Sequence, residues 1–586
     1  MVSRIVLTLL LVVIVGVPFA LRPRASERPD RDAPTLVVIT PHVQQIRYEF
    51  GLAFSAWHMR EYGHPARIDW RTPGGTSEIR KLLTAEVIAA ARRAEAIGDY
   101  ELDVIADPSL PGTSATAEMR LRPGAVGFDV VMGGGSFEHE QLKFGVTIPM
   151  RLAGATHRVR VRISTPASLD TGTLAEVFGE NRIGAQTLYD PDLYWIGTAL
   201  SGFGIVYNRD VLRRMGIGDP ASFHDLTDPR LAGWIALADP RQSGSITTTF
   251  DSILGNYGWD RGWQILRDMT ANARYFTNSS TKPPIDISQG EAAMGLVIDF
   301  YGRTQSQAVM RDGETVATSR VGYTDPKGAT YVDADPVSIL NGGSNVELAQ
   351  RFVRFCLTHD AQALWQFPAR DERGDGLGPV QYELRRMPIR RDMYADMSRF
   401  IDKVNPFDLA SDVRNPGWRT GVEVMMAAFG IETAERQRQA WRALNAARGD
   451  AAVPRDVLAE MEAAFYAWPR TRIIHPLQHP ASTALSDEAR KSIESHRVTS
   501  FDALRRFVGA EEGGLSESVR RELSVLVDAP PAWLEFTPAT YGAVRNVWRD
   551  PVVMDDLRIA YRAFFEQQYD RVVTLLAECR RRGAAH

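Results

Sequence analysis

Four short segments rich in glycine, serine and threonine carry the residue types best suited to hold a small polar molecule: Thr40–His42, Gly74–Ser77, Gly133–Ser136 and Ser243–Thr248. Each follows an apolar, strand-like run, and three lead into a recognisable helical pattern. At such junctions the first N–H groups of a helix lack acceptors and the helix dipole adds positive potential, which attracts anions and polar groups. Glycine permits close backbone approach, and hydroxyl side chains add donors. The candidate ligand contacts are therefore Thr40, His42, Gly74, Gly75, Thr76, Ser77, Gly134, Gly135, Ser136, Ser243, Ser245 and Thr247. Any one of these segments also fits an ordinary tight turn before a capped helix, so the weight lies in four occurring together. Asp299 and Tyr301 end another buried run (VIDFYG). They form a carboxylate–phenol pair suited to a cation or a ligand amine; the alternative is that Asp299 caps the turn and Tyr301 packs between lobes.

Other chemistries lack their signatures. Gly74–Ser77 does not end in GK[ST], and Gly133–Ser136 is not GxGxxG. There is no GxSxG elbow and no HExxH. His475 and His479 are each followed by proline, which suits a loop better than a metal-binding helix. Cys356 and Cys579 are the only cysteines and show no zinc spacing. No catalytic residues are assigned and the chain is not expected to be an enzyme.

The elements that must position these turns are legible as alternating strands and helices. Thr35–Ile39 is a buried strand, with Thr40 and Pro41 as helix cap and first turn and Val43, Ile46, Phe50, Phe54 and Trp57 at helical spacing. Strand, glycine turn and helix recur at 67–97 and again from Phe128. Strand-like runs follow at 202–208, 235–238, 293–299 and 331–340. This is the pattern of an α/β fold built on a largely parallel sheet, whose ligands sit beyond the carboxyl ends of the strands. From about Asp392 the strand signal fades and helical patterns dominate, most clearly over 555–582.

The chain has 586 residues, 44% hydrophobic and 24% charged, with net charge −4. It is long enough for several domains and ordinary for a globular protein, and it lacks the basic excess of a nucleic-acid binder. Arg4, an uncharged run from Ile5 to Leu21 and then Arg22, Arg24 and Arg28 suggest an export signal. The cleavage site is poor, so a retained anchor is the alternative; the trailing arginines oppose its orientation.

With these residues in view, the chain resembles the extracellular solute-binding proteins of bacterial ABC importers. These have the periplasmic-binding-protein type II fold, and the resemblance is nearest to the branch handling ferric iron, thiamine and phosphonate-type ligands. It covers roughly Leu36 to Ala369 and rests on TPGGTSEIRKLL at 72–83, FDVVMGGGSF at 128–137, GFGIVYNRDVL at 202–212, LTDPRLAGWIALADPRQSGS at 226–245 and LAQRFVRFCLTHDAQALWQF at 348–367. The resemblance implies two α/β lobes that close over a ligand, with lobe one at 35–193 and 302–391 and lobe two at 194–301. Segment 1–34 is then the signal or anchor with a linker, and 392–586 is a helical extension unusual for the family. It implies an exported monomer that hands a small, anionic or metal-containing ligand to an inner-membrane permease. Ferric iron is one transported candidate. Iron-binding relatives use adjacent tyrosines where this chain has Phe300–Tyr301, which favours an anionic or zwitterionic organic ligand. An exported sensory or interaction protein using the same cleft is the alternative, and a hydrolase a weaker one.

Overall fold

A computed structural model describes residues 33–104, 117–152, 155–371, 374, 376–414, 417–498, 500–510 and 515–583. The export-signal reading of residues 1–34 thus falls almost wholly outside the described residues. Within them, no helix is long and apolar enough to cross a membrane.

One continuous sheet runs through two lobes. In chain order its principal strands are β1 (Thr35–Ile39), β2 (Arg67–Arg71), β3 (Val130–Met132), β4 (Ile196–Asn208), β5 (Ile235–Ala238), β6 (Ala273–Thr277), β7 (Met294–Ile298) and β8 (Val332–Leu340). Their spatial order is β6-β5-β7-β4-β8-β3-β1-β2. In lobe one, β1 pairs in parallel with β2 and β3; in lobe two, β5 pairs in parallel with β6 and β7. The long strand β4 belongs to both. Ile196–Gly202 runs antiparallel to β8, and Phe203–Tyr207 runs antiparallel to β7. The sequence reading began this strand at Gly202; the six residues before it carry the strand into lobe one, beside β8. All of β4 is buried, as expected of a strand covered on both faces.

Helices follow the strands: α1 (Gln44–Tyr62), α2 (Thr76–Ile97), α3 (Ser136–Phe144), α4 (Gly244–Tyr257) and α5 (Asp299–Ala308). Leu36, Val38, Phe50, Phe54, Phe352, Phe355 and Trp365 form the lobe-one core. Residues 150–190, which carry no clear periodic signal, contribute part of a second, four-stranded sheet through the hairpin Val146–Leu152 and Ala155–Val161.

The C-terminal helices start with α6 (Arg419–Met426) and end with α7 (Pro551–Gly583). They share one hydrophobic core with lobe two: Leu237, Ile253, Trp263, Leu266 and Met269 pack with Met425, Trp441, Phe465, Tyr561 and Phe565. Arg267 is buried at this junction. Its Nη1 donates to the carbonyls of Phe465 at 2.6 Å and Ala467 at 2.9 Å, and its guanidinium lies 4.3 Å from the Trp468 ring centroid. Residues 400–410 pack instead on lobe one, through Val404, Phe407 and Ala410.

Candidate functional site

A cavity of about 430 Å³ lies between the lobes, walled by the loops at the carboxyl ends of the strands. Its lobe-one wall begins after β1. Thr40 is not the helix cap expected of it, because α1 starts at Gln44. Its buried hydroxyl instead donates to Met132 O at 2.7 Å and accepts from His42 N at 3.1 Å, which fixes the path leading to His42. After β3 comes Gly133–Gly135, with φ of 95°, 119° and 88°, a region closed to residues with a side chain. A Cβ on Gly133 would also stand 2.6 Å from His42 Nε2, and one on Gly134 2.5 Å from Thr76 Cγ2. The three glycines thus let two loops and α2 meet.

The floor is a buried charge cluster. Asp335 accepts from Gly134 N at 2.9 Å through Oδ1 and pairs through Oδ2 with Arg386 and, at 2.8 Å, with His42 Nε2. Burial pushes the Asp335 carboxyl up, but Arg386 and His42 outweigh it and hold the group well below the usual carboxylate range. Arg386 also bonds Ser201 Oγ and lies 4.6 Å from the Phe300 ring centroid. Asp333, two residues before Asp335 on β8 and so on the same face, accepts from Ser136 N at 3.0 Å with Oδ2. Burial pushes its carboxyl up to about 6, and Oδ1 has no hydrogen-bond partner. Glu78 accepts from Gly75 N at 3.1 Å. Backbone donors in two of the three lobe-one turns, at Gly75, Gly134 and Ser136, are therefore already met by the protein's own carboxylates, and His42 N in the remaining turn is met by the Thr40 hydroxyl.

Lobe two is arranged differently. Ser243, Gly244 and Thr248 bring the first turn of α4 to the cavity, beside the loop Asn278–Thr281 and the end of β7 at Ile298. Ser243 makes no side-chain cap on this helix, and the first N–H groups of a helix have no intrahelical acceptor. The lobes touch above the cavity. A Cβ on Gly244 would lie 2.6 Å from Thr76 Oγ1, and one on Gly75 3.3 Å from Gln242 O.

Of the residues singled out in the sequence, His42, Gly74, Gly75, Thr76, Gly134, Gly135, Ser243 and Tyr301 line the cavity. Thr40, Ser77, Ser136, Thr247 and Asp299 do not. Ser77 Oγ donates to Glu138 at 3.4 Å and Ser136 presents its N–H to Asp333. Thr247 lies inside α4, and its hydroxyl bonds Pro240 O at 2.6 Å. Asp299 is fully buried in the first turn of α5, accepting from Phe300 N at 2.8 Å. Burial pushes its carboxyl up to about 6 and the Tyr301 phenol up to about 12. The Asp299–Tyr301 pair therefore does not converge on the cavity as a metal site, and the described residues hold no cluster of three His, Cys, Asp or Glu able to bind a metal. The side chain of Ser245 lies outside the described set. Sequence reasoning missed Ser201, Phe203, Gln242, Asn278–Thr281, Phe300, Asp333, Asp335 and Arg386, whereas Thr248 closes the segment Ser243–Thr248 it did single out. The alternation of VDADP over 332–336 was a signal for the two aspartates; nothing local marks Arg386.

Two α/β lobes joined by shared strands thus hold between them a polar cavity large enough for a small molecule. Residues 173–369, about a third of the chain, match the family model for bacterial extracellular solute-binding protein. An uncharacterized protein of Haemophilus influenzae is 30% identical over 166 residues, 28% of this chain and 44% of that protein. The phosphoglycerate transport regulatory protein PgtC of Salmonella typhimurium is 24% identical over 169 residues, 29% of this chain and 40% of PgtC. The chain thus spans less than half the length of the curated relatives it matches. Among solved structures, the periplasmic binding protein AfuA of Actinobacillus pleuropneumoniae, with fructose-6-phosphate bound, superposes with a TM-score of 0.40 at 17% identity. The superposition covers 56% of this chain and 81% of AfuA. Iron-bound HitA of Pseudomonas aeruginosa gives 0.40 at 17% identity, over 67% of this chain and 98% of HitA.

Proposed function

We propose that the protein is the exported solute receptor of an ABC-type importer, and that its solute is a small organic anion bearing a hydroxyl or ammonium group at its other end. The observation that carries this reading is the unequal chemistry of the two walls. The first turn of α4 in lobe two offers N–H donors and a positive dipole end without a side-chain cap. In lobe one the N–H groups of Gly75, Gly134 and Ser136 already donate to carboxylates, and Asp333 Oδ1, buried in the wall, is an acceptor without a donor. A molecule with an anionic head and a donor tail satisfies both walls at once and so favours the closed arrangement. A phosphorylated hydroxy acid or sugar has this chemistry, in keeping with the name of the Salmonella relative, a phosphoglycerate transport regulatory protein. Ferric iron is disfavoured by the single phenol of Tyr301 and the inward burial of Asp299. The receptor acts as a monomer and passes its solute to an inner-membrane permease.

A thermal-shift screen with 3-phosphoglycerate, sugar phosphates, phosphonates, inorganic phosphate, thiamine, polyamines and ferric iron tests this reading. A true solute at a hundredfold excess over its Kd stabilises the fold by about 2.7 kcal/mol. Stabilisation by a polyamine or ferric iron, with none by any organic anion, would refute it.

A further inference from the structure

A side chain of the C-terminal extension bonds residues that line the cleft. Arg419, the first residue of α6, is 7% exposed although it begins a helix of the extension. Its Nη2 donates to Gly244 O at 2.8 Å and its Nη1 to Thr248 Oγ1, both in the turn of lobe two that lines the cavity. The same Nη2 lies 3.5 Å from Glu138 Oε1, which belongs to α3 of lobe one. The guanidinium also lies 4.3 Å from the ring centroid of the lobe-one residue Phe137. Glu138 is 5% exposed and is held by lobe one itself, through Arg80 Nε at 2.6 Å and Ser77 Oγ at 3.4 Å.

We propose that Arg419 is a positioning residue of the cavity and an interlobe latch: it fixes the first turn of α4 and ties lobe two to lobe one through Glu138. The extension shares a continuous core with lobe two, so α6 moves with that lobe. The Arg419–Glu138 contact is therefore broken when the lobes part, whereas the bonds to Gly244 and Thr248 persist. Both partners are buried, so salt screens the pair far less than a surface bridge. The closed arrangement is then partly secured before any solute enters, and solute binding has less of the population shift left to supply. That last consequence rests on the solute-receptor reading; the latch contact does not.

The test is a distance measurement in full-length protein without added solute. Spin labels are placed at Met59→Cys in lobe one and Ile285→Cys in lobe two, both exposed positions, in a Cys579→Ser background. The wild-type latch gives one dominant short separation, with an open population on the order of 10% or less. Glu138→Gln and Arg419→Ala shift the distribution so that the longer separation becomes a major population, and Arg419→Lys, which keeps the charge, restores part of the short one. Unchanged distributions in Glu138→Gln and Arg419→Ala overturn the latch, even if Arg419→Ala lowers the melting temperature, because Arg419 would then only brace the extension on lobe two. Should Arg419→Ala fail to fold, Glu138→Gln, on the opposite lobe, decides alone. Because no solute is used, a shifted distribution in a protein that no organic anion stabilises would sink the receptor reading and leave the latch standing.

Discussion

The pair Asp335–Arg386 on the cavity floor gives a prediction whose sign as well as size is fixed by the structure. Both residues are about 4% exposed, and Asp335 also accepts from Gly134 N and His42 Nε2. Breaking a buried pair from one side leaves an uncompensated charge and costs about 3–5 kcal/mol. Arg386→Met is expected to lower the melting temperature by roughly 10 °C, taking about 2–4 °C per kcal/mol for a lobe of this size. Asp335→Asn should cost somewhat less, since the amide oxygen can still accept from Gly134. The double variant should lose clearly less than the sum of the two, because neither charge is then left alone.

The pH response separates this account from a simple packing defect. In the wild type the folded Asp335 pKa is depressed, so its stabilisation is present above the ordinary carboxylate value and is lost as pH falls through the folded one. In Arg386→Met the principal cation is gone and burial dominates, so the folded pKa rises. The carboxylate then destabilises at neutral pH and the defect shrinks as pH is lowered toward 5. Differential scanning fluorimetry of the wild type, both single variants and the double variant at pH 5 and pH 7.5 reads both effects. Additive losses within about 0.5 kcal/mol, or an Arg386→Met defect no smaller at pH 5, would refute the reasoning.

Three further outcomes follow from neighbouring groups. Asp333 has a folded pKa raised to about 6 from 3.8, so its contribution is favourable below pH 4 and is lost as pH rises through 6. Asp333→Asn should therefore raise the melting temperature at pH 8, by the equivalent of about 2–3 kcal/mol, with little change at pH 4, while removing the acceptor proposed for the solute's donor group. Gly244→Ala places a methyl group 2.6 Å from Thr76 Oγ1; it should hold the lobes apart and weaken solute binding at least tenfold by calorimetry, about 1.4 kcal/mol, with little loss of melting temperature. A chain ending at residue 412 uncovers Trp263, Leu266 and Met269 of lobe two, an apolar patch large enough to drive association. It should elute as aggregate in gel filtration rather than as a two-lobe monomer.

Much of the scaffold is readable from the amino acids alone, because it depends on local pattern. The apolar runs at 35–39, 235–238 and 294–298 are too short and too apolar for surface helices. Glycine–hydroxyl turns after strands mark the ends where a doubly covered sheet can open to a ligand; seven of the twelve residues chosen on that logic line the cavity. The misses have a common cause. Thr40, Ser136 and Thr247 have the right chemistry at the right turn, but nearer backbone acceptors or carboxylates claim their polar atoms.

What the tertiary structure alone decided is which charges meet. Arg386 and His42 reach Asp335 across 51 and 293 residues of chain, and Arg419 reaches Glu138 across 281. No periodicity encodes such distances, because a salt bridge needs only that two side chains arrive within a few ångströms, whatever their separation in sequence. The same holds for the extension. Its helices are legible in sequence as amphipathic segments, but that they complete the core of lobe two, rather than trail behind it, is settled only when their apolar faces find Trp263 and its neighbours.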